Sequence, residues 1–558
     1  MKRFKTKYGY FDAEGKEYVI TDYRTPKPWV NVLANGNYGA VLSHLNGGFS
    51  WIGNSNQSRI TRFQQDLVQD NWGKYLFFRD ERTGEYWSPT IQPIGNSLGI
   101  YECRHGIGYT RFLSRYKNIE STIRIFIPFM YNLEIWTITV KNHSRITQQI
   151  GVYTYLEWCL GQAPDTHREF HKTFIETNFN KNLHALLAQK RLWEIPSKRG
   201  HWNTNWPFTA YHACTSPVQD YDGDKESFIG LYQSLSRPQA LVSGKLGKRT
   251  GKWNDSIASL KKVITLNPSQ EKRIDFLLGA EPDRRTISTR IKYFSKPAHI
   301  ESAFNKLNDK WENLIDKTTV QTPDQALNYL TNFWLKYQAI SGRIWGRAAY
   351  YQQSGAYGFR DQLQDSQIFL YSQPELTKKQ ILLHAQHQFK SGHVLHWWHP
   401  ISEQGHETNM SDDLLWLPFL VVQYLKETGD WSVLDEKIHY WDDRSADTLQ
   451  IHCIKAIELV LTRLSPRGLP LILAGDWNDG LSGVGLEGKG ESIWLGHFFY
   501  YILKEFAYVL ERSDAGTKAH DYHQRADALK EAVNTYGWDG EWYWRASKDN
   551  GELIGSHL

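Results

Sequence analysis

The opening half of the chain alternates between apolar and polar positions. In "STIRIFIPF", Ile123, Ile125 and Ile127 fall on one side, and in "QQIGVYTYLEW" so do Ile150, Val152, Thr154, Leu156 and Trp158. A two-residue period sends successive side chains to opposite faces of an extended backbone, so each segment predicts a half-buried strand. Gly- and Asn-rich breaks such as "ANGNYG" and "LNGGFSWIGNSNQS" supply the turns between strands. Many short strands without a helical stripe predict an N-terminal antiparallel β-sandwich over residues 1–285.

The period then changes. Ile300, Phe304, Leu307, Trp311, Leu314 and Ile315 follow steps of three and four, the spacing of one helical face, with Pro297 just ahead of them. "TPDQALNYLTNFWLKYQAI" carries the stripe on through Leu327, Leu330, Trp334 and Tyr337, with Thr322 as the expected N-cap and Pro323 at the first helical position. Helical patterns dominate to about residue 535, separated by long polar loops rich in aromatic residues. The pattern predicts a multidomain β plus α fold, with a helical linker at 286–321 and an (α/α)6 toroid at 322–558. About seven helical segments lie between residues 322 and 536, fewer than a closed toroid needs, so the barrel is expected to be truncated. The last stretch, "WYWRASKDNGELIGSHL", predicts a hairpin turning at Asn550 and Gly551.

Composition excludes several classes. With 41% hydrophobic and 22% charged residues over 558 positions the chain is globular, and a net charge of +5 is too dilute to point to nucleic acid or an anionic membrane. No stretch approaches the roughly 18 apolar residues of a membrane helix. "MKRFKTKYGYFDAEGKEYVI" has no apolar run behind its basic residues, so a cytoplasmic location, or a fragment whose signal lies outside this sequence, is expected. Four dispersed cysteines, Cys103, Cys159, Cys214 and Cys453, suit neither a disulfide framework nor a zinc site. The aromatic residues do change the picture. The chain has 23 Trp, 31 Tyr and 25 Phe, and such rings cover the apolar faces of sugars while their polar tips take hydroxyls, which favours a carbohydrate ligand.

Four loops share acid, amide, aromatic, His and Gly residues: "YYQQSGAYGFRDQLQDS", "HVLHWWHPISEQGHETNMSDDLLW", "AGDWNDGLSG" and "GKGESIWLG". On a toroid they would converge at one face. Arg360 and Asp361 suit charge-assisted hydrogen bonds to sugar hydroxyls, or a local ion pair at a helix start. Ser411, followed by Asp412 and Asp413, reads as an N-cap with an acidic first turn. His393, His396 and His399 lack the partners of a metal site, and packing beside Trp397 and Trp398 explains them better. Neither a Walker loop, a nucleophile elbow nor a dinucleotide fingerprint occurs. Asp479, in a turn beside Trp477, suits an acid that protonates a departing glycosidic oxygen, provided partial burial raises its pKa; an ordinary surface turn uses the same residues.

"YGFRDQLQD", "HWWHP", "SDDLLWLP…YLKETGD" and "GDWNDG", in this order, together with "RTPKPWVNVLANGNYG…SWIGNSNQSRITRF", resemble glycoside hydrolase family 94, the inverting β-glycoside phosphorylases. The resemblance implies a sandwich, a linker and an (α/α)6 barrel, usually as a homodimer. It implies that inorganic phosphate, a co-substrate and not a cofactor, attacks the anomeric carbon of a β-glucoside oligosaccharide. The products would be α-glucose 1-phosphate and a shortened acceptor, with no metal. By motif position Asp479 is the catalytic acid, and Arg360, Asp361 and Trp477 hold the transferred sugar, with His396 and Trp397 as further substrate-binding candidates. Gly355 stands where some members carry Arg, and the family's phosphate-binding residues would fall beyond Leu558, so an incomplete and weakly active site is expected. "SGAYGFRDQLQD" and "HWWHP" look most like the subgroup of cellobionic acid phosphorylases, 1,2-β-oligoglucan phosphorylases and cyclic β-1,2-glucan synthase modules. The oligoglucan and synthase proteins usually carry long N-terminal extensions, whereas Met1 here almost directly precedes the sandwich, so cellobionic acid, with gluconate as acceptor, is expected over a 1,2-β-oligoglucan or cellobiose. An inverting hydrolase using Asp361 or Glu407 as base and a non-catalytic glucan-binding module are the alternatives.

Overall fold

The computed structural model describes residues 2–163, 169–191, 205–513 and 515–557. The chain forms two compact units, Met1–Gly355 and Ala356–Leu558.

The first unit is built from a ten-stranded and a nine-stranded antiparallel sheet. Leu133–Asn142 lies inside the larger sheet, paired in register with Ile119–Phe126 on one side and Glu271–Glu281 on the other. The inner faces of both sheets meet in one core, with Ile123, Ile125, Trp136 and Phe276 from one sheet and Leu42, Phe78, Val152 and Leu260 from the other. The alternation in both quoted segments is borne out, since Ile123, Ile125, Ile127, Ile150, Val152, Leu156 and Trp158 are all buried. Gln148–Gly161 departs from the half-buried expectation. Tyr153 and Tyr155 on its outer face are also buried, because Phe228, Ile229, Leu241 and Leu246 pack over them. Charge is buried here too. Lys74 Nζ lies 2.5 Å from Glu134, and Glu134 also accepts from Ser50 and Trp136 Nε1, so its carboxylate is fully engaged.

Pro297–Ile315 is a helix whose buried stripe is the predicted one, and Pro297 is its first residue, where a missing N–H costs nothing. The next helix corrects two expectations. Its N-cap is Asp324, whose carboxylate accepts from Ala326 N and Leu327 N, whereas Thr322 bonds Asn328 and the Asp324 carbonyl. The stripe also breaks. Trp334 and Tyr337 are buried, but Leu327 and Leu330 are 44% and 46% exposed. Wide π-helical turns at Leu330–Trp334 and Ala339–Gly346 insert extra residues and rotate the apolar face, which a fixed 3.6-residue period cannot follow.

The second unit is helical. Phe359–Asp365, Pro374–Ala385, Trp416–Thr428, Leu449–Leu461, Ile493–Glu511 and Gly516–Tyr536 surround one core that includes Leu417, Leu420, Cys453, Phe499, Phe506 and Tyr522. A three-stranded sheet, Tyr357–Gly358, Leu395–His399 and Gln404–Glu407, joins two of the polar loops. Ala546–Ser547 pairs with Leu553–Ile554 as the predicted terminal hairpin. No described helix is long and apolar enough to cross a membrane.

Candidate active site

The small sheet sets the first part of the site. Gly358 pairs with Trp397, so the helix starting at Phe359 opens beside the "HWWH" strand. Alternation along that strand splits the tryptophans. Trp398 is fully buried and stacked on His387 at 3.8 Å, whereas Trp397 is partly exposed and packs against His399 and His406.

Arg360 is the hub of the site. It is 7% exposed. Its Nη2 donates to Asp479 Oδ1 at 2.9 Å, and its Nη1 donates to the Asp476 carbonyl at 3.2 Å and lies 3.5 Å from Asp412 Oδ2. Asp361 Oδ1 is 3.9 Å from its Nε. Burial alone would ease the guanidinium toward neutrality, but the carboxylates of Asp412, Asp479 and Asp413 outweigh it and hold Arg360 firmly charged.

Ser411 is not the helix cap expected from "SDD": Asp412 holds the N-cap position of the short turn Asp413–Leu415, without a side-chain cap bond, and Asp413 lies in its first turn. Ser411 donates both its N–H, at 2.8 Å, and its hydroxyl, at 3.0 Å, to the Gly475 carbonyl, tying this loop to the one that carries Asp479. Asp412 Oδ2 accepts from Trp416 Nε1 at 3.0 Å, and Asp413 Oδ2 faces His396 Nδ1 at 2.7 Å. The second oxygen of each aspartate is buried with no protein hydrogen-bond partner. Burial, reinforced by Asp413, pushes Asp412 up to about 7. His396 is drawn down by burial, but the Asp413 carboxylate overrides this and its net shift is upward. Two buried acceptors left open beside an arginine and a histidine form a site suited to hydroxyl donors.

The loop of residues 474–480 supplies the rest. Gly475 adopts φ 140°, and a Cβ there would meet Met410 at 3.0 Å. Asp476 turns inward and is fully buried. Its carboxylate accepts from Ser492 Oγ at 2.6 Å, from the Asn478 N–H at 3.1 Å and from both terminal nitrogens of Arg545, one of them at 2.8 Å. Asn478 then closes an Asx turn onto Gly480 N, which carries Asp479 outward. Partial burial of Asp479 is therefore not what the structure shows. Its side chain is 62% exposed and anchored through Arg360. Trp477 is 49% exposed beside it, its ring 6.2 Å from that of Trp494.

Sequence reasoning brought Arg360, Asp361, His396, Trp397, Trp477 and Asp479 into view, and among these Arg360 bonds Asp479 directly while His396 reaches the cluster through Asp413. It missed Arg545, Asp412 and Asp413 as site groups. Arg545 is a lone cation in the aromatic run "WYWRAS", which was the available signal. The three histidines part company, since His393 faces Glu407 at 3.7 Å, His396 bonds Asp413 and His399 packs on Trp397. Among the described residues no cluster of three His, Cys, Asp or Glu gathers as metal ligands.

A sandwich followed by a helical domain whose loops converge on an Arg–Asp cluster with exposed tryptophan is the architecture of a carbohydrate-active protein. Residues 16–297 match the family model "Glycosyl hydrolase 94, supersandwich domain" and residues 310–558 match "Glycosyl hydrolase 94 superfamily, catalytic domain". The chain belongs to the glycosyl hydrolase 94 family. The second match runs through residue 558. A cyclic β-(1,2)-glucan synthase from Rhizobium meliloti (strain 1021) is 33% identical over 98% of this chain, which spans 20% of that protein's length. A solabiose phosphorylase from Paenibacillus borealis is 31% identical over 99% of this chain and 69% of its own. A bacterial glucoamylase complexed with acarbose shares the fold, with a TM-score of 0.59, 10% identity and coverage of 100% of this chain and 73% of its own.

Proposed function

We propose that the protein carries out inverting phosphorolysis of a β-glucoside. Asp479 donates a proton to the glycosidic oxygen as the C1–O bond breaks. Phosphate forms the new bond to C1 from the opposite face, giving α-glucose 1-phosphate and a shortened acceptor. Arg360 and Asp361 hold the transferred glucose, and Trp477 covers its ring. His396 and Trp397 complete the sugar contacts.

One observation carries this reading. Asp412, Asp413 and Asp476 are at most 2% exposed and committed to Trp416, His396 and Arg545, while Asp479 is an open carboxylate fixed on Arg360. Asp361, 39% exposed and 3.9 Å from the same guanidinium, is assigned to the transferred sugar, which leaves Asp479 as the proton donor and phosphate as the nucleophile. A hydrolase would need a second carboxylate to activate water.

For the acceptor, cellobionic acid remains the leading substrate, with gluconate as its acceptor half. Its support is Arg463, whose Nη1 is buried without a protein hydrogen-bond partner and whose charge acts on His393. Identity of 33% with a cyclic β-(1,2)-glucan synthase favours a second reading, a 1,2-β-linked oligoglucan. The test is synthesis from α-glucose 1-phosphate with gluconate, glucuronate, glucose or sophorose as acceptor, followed by cleavage of the product with and without phosphate. Phosphate release with gluconate is the expected result. Release with sophorose alone would overturn the acid assignment, and cleavage indifferent to phosphate would overturn phosphorolysis.

A further inference from the structure

The sandwich unit has a cavity of its own, of about 920 Å³, within the size range of small-molecule sites. Its lining comes from the loop at Tyr23–Pro28, the stretch around Trp72, the outer face of the strand bearing Tyr155 and Glu157, and Lys225.

Two of the cations on this lining, Arg62 and Lys225, flank one ring, while Arg24, paired with Asp22, and Lys27 also line the cavity. The guanidinium of Arg62 lies 5.2 Å from the Trp72 ring centre and the ammonium of Lys225 lies 5.7 Å from it. Glu157 is 6% exposed. Its Oε1 accepts from Tyr155 at 2.8 Å and faces Lys225 Nζ at 2.7 Å. Its Oε2 is ion-paired with Arg62 at 4.0 Å, beyond hydrogen-bond reach, and accepts no protein hydrogen bond. The Tyr75 hydroxyl, fully buried, and Asn71 Oδ1 are also without partners. Asp70, the other carboxylate on the lining, shows the contrast: it already accepts from Ser43 and Tyr350.

The open atoms are thus two acceptors and one hydroxyl, beside a half-buried tryptophan and, at the rim, Tyr23 at 42% exposure. Buried polar atoms of a native site meet their partners, so a ligand here must bring several hydroxyl donors and an apolar face. A phosphate or carboxylate would set its oxygens against Glu157 Oε2, and a cation would meet Arg62 and Lys225. A neutral sugar chain has the required chemistry, with ring C–H faces for Trp72 and Tyr23 and hydroxyls for Glu157, Asn71 and Tyr75.

We infer that this cavity, lined wholly by the sandwich unit, is a second, non-catalytic binding site for a neutral β-linked glucan. The test is calorimetric titration of the full chain with cellotriose and with sophorotriose, each at wild type, Trp72→Ala, Glu157→Gln and Trp477→Ala. Thermal melts of every variant accompany the titrations. One triose is expected to bind at two sites per chain. Trp72→Ala should abolish one of them, Glu157→Gln, which turns an acceptor into a donor, should weaken it at least 10-fold, and Trp477→Ala should leave it intact. Glu157→Gln nearly preserves size while removing the charge that faces Lys225, so it stands in if Trp72→Ala melts early. Stoichiometry unchanged in both sandwich variants, or inorganic phosphate binding that is lost with Lys225→Met, would overturn the assignment. Loss of phosphorolysis with the sandwich site retained would count against the catalytic reading alone.

Discussion

Each unit of the molecule buries a carboxylate cluster, and the two clusters are finished differently. In the sandwich, Glu134 meets Lys74, Ser50 and Trp136, and its charge is balanced on the spot. In the helical unit, Asp412 and Asp413 each keep one buried oxygen without a protein partner. Buried charge that is balanced internally serves the fold, whereas buried charge left partly open is a cost retained for a ligand. The same criterion sets Glu157, with its open Oε2, apart from Glu134 within one unit.

This contrast is open to attack by mutation. The largest effect should come from Lys74→Met, which strands Glu134 in the core. We expect a loss of about 3–5 kcal/mol in denaturant unfolding, with activity per folded molecule unchanged. A smaller change, below about 1 kcal/mol, would mean that the pair is not the structural element described. Next is Arg545→Met. Arg545 touches no expected substrate atom but clamps Asp476, and through it the turn that presents Asp479. It should lower kcat by roughly 10- to 100-fold, about 1.4–2.7 kcal/mol, with KM nearly unchanged and partial recovery in Arg545→Lys. An equal loss in KM alone would argue for direct substrate contact instead.

The smallest effect is on titration. His396 is raised by Asp413, so its folded pKa lies above the unfolded one. The stability it contributes is fully present below the unfolded value of about 6.5 and is lost as pH rises through the folded value. Asp413→Asn should move the His396 titration, followed by NMR, to lower pH and flatten that part of the stability profile. An unmoved titration would show that some other group controls this histidine.

How much of this was legible in the sequence depended on the range of the interaction. The strands over 123–127 and 150–158 and the stripe from Ile300 to Ile315 were readable because periodicity is local. Trp334 and Leu330 parted company because π-helical turns shift the phase, and no residue type announces them. Ser411 had the sequence of a cap but spends both donors on Gly475, 64 residues away. Asp479 was found by its motif, yet its exposure was misjudged, since the inward turn of Asp476 depends on Arg545 from a distant hairpin.

The central claim is that Asp479 is the proton donor to a leaving group displaced by phosphate. The direct measurement is α-glucose 1-phosphate formed from the preferred β-glucoside by wild type and by Asp479→Asn, at saturating phosphate and at none. The account predicts phosphate-dependent product from wild type and a loss of about 10³-fold or more in the variant, with substrate binding retained. Product from Asp479→Asn at a rate within 10-fold of wild type would contradict it.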